Sequence, residues 1–118
     1  MKLLSRWFRH ASMPPSWIEP AALATRLEQD DAPLILDVRG PDEFTGPLRH
    51  IREVTNVPLI ELPAHLHDLV RENRRVVVVC KTDPRSSMAA QQLQDAGLSD
   101  VVLRGGMERW RVLGLPVN

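Results

Sequence analysis

Apolar runs and helical spacings take turns along most of the chain. Pro20 to Gln29 (PAALATRLEQ) sets Leu23 and Leu27 four apart, one face of a short helix, which Asp30-Asp31-Ala32-Pro33 breaks. Leu34 to Val38 (LILDV) is nearly continuously apolar, as a strand buried on both faces should be, with Asp37 its one polar interruption. Gly40-Pro41 ends it, and Pro41 to Thr45 suits one helical turn with proline at the start. An irregular stretch from Gly46 to Thr55 leads to a brief strand at Asn56 to Val57. Residues 59 to 70 hold Leu62, Leu66, Leu69 and Val70 at helical spacing, and Arg74 to Val79 (RRVVVV) is the strongest strand signal. Ser86-Ser87 predicts the start of a helix through MAAQQLQDAG, with Gly97 as its stop. Asp100 to Leu103 reads as a last strand, Arg104-Gly105-Gly106 as a turn, Met107 to Val112 as a short helix and Gly114-Leu115-Pro116 as a terminal turn. Strands alternating with helices in this way predict an α/β domain with a parallel sheet covered by helices.

The first residues follow another pattern. Lys2, Arg6 and Arg9 alternate with Leu3, Leu4, Trp7, Phe8 and Ala11 at near-helical spacing, and residues 1 to 18 contain no acid. That predicts a short amphipathic helix, stopped by Met13-Pro14-Pro15. Residues 1–15 are therefore expected to form a basic extension and 16–118 the domain. A leader, a helix packed on its own domain, a membrane-surface or partner-binding helix over 1–11 and an organelle-targeting peptide all fit such a segment. The apolar pair Leu3-Leu4 falls short of the roughly 7 to 15 residues of a secretory signal. No run approaches the ~18 to 20 apolar residues of a spanning helix.

Composition narrows the function classes. At 118 residues and 43% apolar content, one compact domain can form a core without disulfides or metals. The 15 basic and 15 acidic residues cancel, so no global charge recruits nucleic acid or an anionic membrane. A single cysteine excludes an intramolecular disulfide and predicts a reducing, cytoplasmic setting. Of the histidines only His65 and His67 are close, and two residues apart they do not share a helix face, so no metal clamp is expected there.

The cysteine stands at the carboxyl end of a central strand, before a loop running into a helix. Ligands of open α/β sheets bind beyond these strand ends, so Cys80 is where a site belongs. A thiol is nucleophilic only as thiolate, and its free pKa of ~8.5 falls beside backbone amides, a helix N-terminus or cations. The loop Cys80-Lys81-Thr82-Asp83-Pro84-Arg85-Ser86 offers all three: amides that can form an anion nest, the helix start, and the charges of Lys81 and Arg85. A free cysteine in a parallel-sheet protein is also often a small buried apolar residue, Lys81 and Arg85 can be plain surface charges, and Asp83 reads first as a turn residue before Pro84. The residues alone leave both readings of Cys80 open.

Five segments in order resemble the rhodanese family, across residues 17 to 118. They are Leu34-Ile35-Leu36-Asp37-Val38-Arg39 with Asp42-Glu43-Phe44, then His50-Ile51, then Asn56-Val57-Pro58-Leu59, then Val76 to Cys80 with Arg85-Ser86 completing Cys-x-x-x-x-Arg-Ser. The fifth is Leu103-Arg104-Gly105-Gly106 with Trp110 and Gly114-Leu115-Pro116-Val117. The resemblance implies a rhodanese-like fold, with a parallel sheet of about five strands and helices on both faces, and a sulfurtransferase needing no cofactor or metal. Cys80 would take sulfane sulfur from a donor such as thiosulfate as a persulfide, then pass it to cyanide or a thiol, including a protein thiol. Arg85 would orient the loop and the anionic donor with Lys81 assisting; Asp37, Arg39, Glu43 and His50 would support the fold, and Trp110 would pack in the core. The alternative is a non-catalytic or carrier module that binds or relays persulfide from a protein partner. Related phosphatases carry one more residue between cysteine and arginine, since a phosphoryl group needs a wider cradle than one sulfur, so phosphatase or arsenate-reducing chemistry is disfavoured.

Three features depart from the family pattern. Asp83 stands where single-domain members often have glycine, which puts a negative charge into an anion-binding loop and is expected to slow thiosulfate use or favour a cationic or protein partner. Glu53 replaces the usual glycine after His50-Ile51, and Gly46-Pro47-Leu48-Arg49 lengthens the approach to His50. Residues 1 to 15 have no counterpart in the minimal domain.

Overall fold

Val76–Val79 is the centre of the molecule. All four valines are buried, as befits a strand with a neighbour on each edge and helices on each face. In a computed structural model, which describes residues 15–118, five strands form one sheet: β1 (Trp17–Ile18), β2 (Leu34–Asp37), β3 (Thr55–Asn56), β4 (Val76–Val79) and β5 (Asp100–Leu103). Their order is β1-β5-β4-β2-β3 and every pairing is parallel, with Leu34 beside Val76 and Asp37 beside Val79. The helices are α1 (Pro20–Arg26), α2 (Pro41–Phe44), α3 (Leu62–Glu72), α4 (Pro84–Asp95) and α5 (Gly106–Val112), with one 3-10 turn at Leu59–Glu61.

Side chains alternate across a strand, so the sequence sorts itself onto two faces. Leu36, Val38, Val76, Val78 and Cys80 join Leu62, Leu69, Ala89 and Leu93 of α3 and α4 in one core. Ile35, Val77 and Val79 join Leu23 of α1 and Met107 and Trp110 of α5 in the other. Each fully buried valine or leucine stabilises the fold by roughly 1.5–3 kcal/mol, which makes the doubly covered β4 the strongest single contributor. The expected α/β architecture of about five parallel strands with helices on both faces is the one observed.

Several boundaries move. The helix expected to start at Ser86 begins two residues earlier at Pro84, because proline suits the first helical position and its missing N–H is not needed there. Arg85 and Ser86 thereby become first-turn residues. The helix expected to reach Gln29 ends at Arg26, and Arg74 and Arg75 precede β4 rather than forming part of it. The brief strand expected at Asn56 lies one residue earlier, and the two-residue β1 was not anticipated. The amphipathic helix expected over residues 1–11 lies outside the described residues. Glu53 holds φ 55, in the left-handed region that glycine adopts more readily than a residue with a side chain. Among the described residues no helix is long and apolar enough to cross a membrane.

Candidate functional site

Because the sheet is parallel, all five carboxyl ends open on one side, and Cys80 follows β4 there. Its parity with Val76 and Val78 turns the thiol toward α3 and α4, and it is 1% exposed. The Ser86 N–H, in the first turn of α4, donates to Cys80 Sγ at 3.3 Å. The thiol in turn donates to Ser86 Oγ at 3.3 Å, and the Ser86 hydroxyl donates to the Asp83 carbonyl at 3.1 Å. Ser86 is fully buried, so these bonds lie out of competition with water. If the sulfur loses its proton, the hydroxyl can rotate to donate to it instead. An amide, a hydroxyl and a helix N-terminus therefore meet at one sulfur.

The loop is braced from α5. The amides of Met107 and Glu108 donate to the carbonyls of Cys80 and Lys81 at 2.9 and 3.0 Å. Gly106 holds φ +59, and a Cβ there would stand 2.5 to 2.6 Å from the carbonyl oxygens of Cys80, Lys81 and Thr82, so only glycine allows this contact. Asp83 is the cap residue of α4 but makes no side-chain cap bond; its Oδ1 instead accepts the Gly105 N–H at 2.8 Å. The Arg104-Gly105-Gly106 turn, whose place in the sequence predicts no contact with Cys80, is thus the floor under the Cys80 loop. The double glycine was the available signal.

Charge is arranged in pairs around the same loop. Arg85 donates from both terminal nitrogens to Glu43 at 2.6 and 2.8 Å, closing a fork between α4 and α2. These bonds, and next the Gly40 amide, outweigh burial and hold the Glu43 carboxyl down at about 2; the same fork raises Arg85. Lys81 faces Glu108 at 3.7 Å, with both side chains half exposed. Thr82 and Asp83 are partly buried, and Pro84 is exposed at the helix start.

Asp37 and Arg39 stand one layer further in. Arg39 grips Asp37 with Nε and Nη2, the latter at 2.7 Å, and spends its remaining reach on the carbonyls of Glu43 and Arg49. Both are 1% exposed. His50 Nδ1 bonds the Phe44 carbonyl at 2.9 Å, and its ring stacks on Phe44 at 3.9 Å between centroids. These contacts fix α2, which carries Glu43. The path from Asp37 to the loop thus runs through Arg39, Glu43 and Arg85. Trp110 is buried, its indole N–H donating to the Pro116 carbonyl at 2.9 Å.

The family model described as the rhodanese-like domain matches residues 19–112. An uncharacterised protein of Synechocystis sp. is 39% identical over 93 residues, covering 77% of this chain and 50% of its own. A sulfurtransferase of Allochromatium vinosum is 30% identical over 101 residues, covering 85% and 92%. Among solved structures, the rhodanese-like domain of an Anabaena sp. protein superposes with a TM-score of 0.73 at 29% identity, covering 88% of this chain and 78% of that one. The chain spans 50% and 59% of the length of the first two curated relatives it matches, from Synechocystis and Bacillus subtilis. Since the family match runs from before α1 to the end of α5 and takes in the Cys80 loop together with the turn that braces it, this chain belongs to the rhodanese-like domain family.

Proposed function

We propose that the domain is a sulfurtransferase carrying sulfane sulfur as a persulfide on Cys80. The observation that carries this reading is the Ser86 amide on Cys80 Sγ at the start of α4, because a donor already aimed at the sulfur stabilises negative charge there at no cost of reorganisation. The family and the sulfurtransferase relative from Allochromatium vinosum support sulfur transfer as the reaction class. In the first half-reaction the Cys80 thiolate attacks the outer sulfur of thiosulfate. A new S–S bond forms to Cys80, the old one breaks, and its electron pair leaves with sulfite. In the second, cyanide or a thiolate attacks the outer sulfur of the persulfide and the electron pair returns to Cys80. Arg85, held by Glu43, keeps the loop in place for both steps, with Lys81 at the rim. Residues 16–118 form the sulfur-carrying domain, residues 1–15 an extension to it, and a reducing, cytoplasmic setting keeps the lone thiol available.

A second reading, a module that relays persulfide from a protein partner, is favoured by one observation: Cys80 is 1% exposed and the cations beside its loop are already paired with Glu43 and Glu108. Turnover separates the two. Incubation of the purified protein with thiosulfate and cyanide is expected to yield thiocyanate, and Cys80→Ala to yield none. Sulfur loading without thiocyanate would leave the relay, and thiocyanate formed equally by Cys80→Ala would remove the cysteine from the account.

A further inference from the structure

Asp83 introduces a carboxylate into a loop that handles anions, yet its geometry turns that charge to a use. At the cap position of α4 an aspartate ordinarily accepts an amide of the first turn of its own helix, and the third residue of that turn is Ser86. Here the Ser86 amide is given to Cys80 Sγ, and the Asp83 carboxylate accepts Gly105 N–H at 2.8 Å, across 22 residues of sequence. The Asp83 backbone, at φ −130 and ψ −27, lies outside the extended region that a capping residue adopts. Two acceptors, the cap carboxylate and the sulfur, are thus candidates for one amide, and the Gly105 N–H draws the carboxylate away.

We infer that Asp83 is a positioning residue for Cys80: bonded to Gly105, it straps the loop to the turn before α5 and leaves the Ser86 amide to the sulfur. This rests on Cys80 being the reacting atom, as proposed above. The strap is a bond within the protein, from the Gly105 N–H to the Asp83 carboxylate, and is in place with no donor bound. It also joins the same loop and turn that the Met107 and Glu108 amides join, so three hydrogen bonds and the close contact of Gly106 hold a single interface.

Three substitutions separate the strap from the charge. Asp83→Asn keeps an acceptor at the same reach and loses the charge. Asp83→Ala loses both. Asp83→Ser is too short to reach Gly105 but is a good cap, and so competes with the sulfur for the Ser86 amide. The readout is alkylation of the sole cysteine by iodoacetamide at fixed neutral pH, followed by intact mass, which needs no sulfur donor and so does not depend on transfer activity. Asp83→Asn is expected to react at least as fast as the parent, Asp83→Ala more slowly, and Asp83→Ser slowest, by roughly three- to tenfold, the weight of one hydrogen bond. Thermal unfolding is expected to rank Asp83→Ser at or above Asp83→Ala, the reverse of their reactivity. Amide hydrogen exchange gives a second test, with Gly105 protected in the parent and Asp83→Asn and unprotected in Asp83→Ser and Asp83→Ala. Equal alkylation rates in all three variants, rates that follow the unfolding midpoints, or Gly105 protection unchanged in Asp83→Ser would each overturn the inference.

Discussion

Two arginine–carboxylate forks sit side by side at the carboxyl edge of the sheet, and their surroundings differ. Asp37–Arg39 is 1% exposed on both sides, and Arg39 also bonds two backbone carbonyls. Glu43–Arg85 has the same bidentate chemistry, but the Glu43 side chain is 41% and the Arg85 side chain 36% exposed. The buried fork is a scaffold: it folds Arg39 back on the end of β2, where its guanidinium also holds the Glu43 and Arg49 carbonyls, and removing Asp37 would strand that charge. The half-exposed fork is a tie, screened by water, that holds the Cys80 loop against α2. Burial, not the pairing itself, decides which of the two the fold depends on.

Asp37→Ala is expected to have the largest effect, because it leaves Arg39 buried without its carboxylate. A loss of about 3–5 kcal/mol is expected in urea unfolding followed by tryptophan fluorescence, a large part of the ~5–15 kcal/mol typical of a domain. A loss under ~1 kcal/mol would mean that Arg39 is not needed as a buried partner.

Glu43→Gln sharpens the contrast. After allowance for screening, about 1 kcal/mol of stability is expected to go, together with a slower transfer reaction as Arg85 loosens. The pH dependence has a definite sign. A carboxyl depressed from 4.5 to about 2 contributes stability fully above 4.5, and that contribution fades as pH falls from there through about 2. Asp100, pushed by burial from 3.8 up to about 6, acts oppositely: it weighs against the fold above 6 and ceases to as pH falls through 3.8. Acid unfolding of the parent thus mixes the two slopes, and subtracting the Glu43→Gln curve isolates the first. The smallest effect belongs to Lys81→Gln, whose partner Glu108 is half exposed at 3.7 Å; its stability is expected to stay within ~0.5 kcal/mol of the parent. A larger change would place Lys81 in the loop's support rather than at its rim.

The sequence made the framework readable where residues answer to near neighbours. The unbroken valines of β4 and the LILD of β2 signal burial on both faces, and the strand-loop-helix at Cys80 follows from them. The helix start was misplaced because Ser86-Ser87 looked like a cap, although Pro84 carried the better signal for a first helical residue. β1 left no periodicity to read, since two residues cannot alternate, and it is defined by pairing with β5. The contacts that build the site lie further off still. Arg85 finds Glu43 across 42 residues and Asp83 finds Gly105 across 22, and no spacing along the chain foretells either. Asp83 shows the consequence: read as a charge in the loop it counted against anion handling, while in the fold its carboxylate accepts an amide.

The most direct measurement is the mass of the intact chain after exposure to thiosulfate and, separately, to glutathione persulfide. A gain of one sulfur atom is expected, discharged by cyanide and absent from Cys80→Ala. No gain from either donor, or a gain that survives in Cys80→Ala, would contradict a persulfide on Cys80.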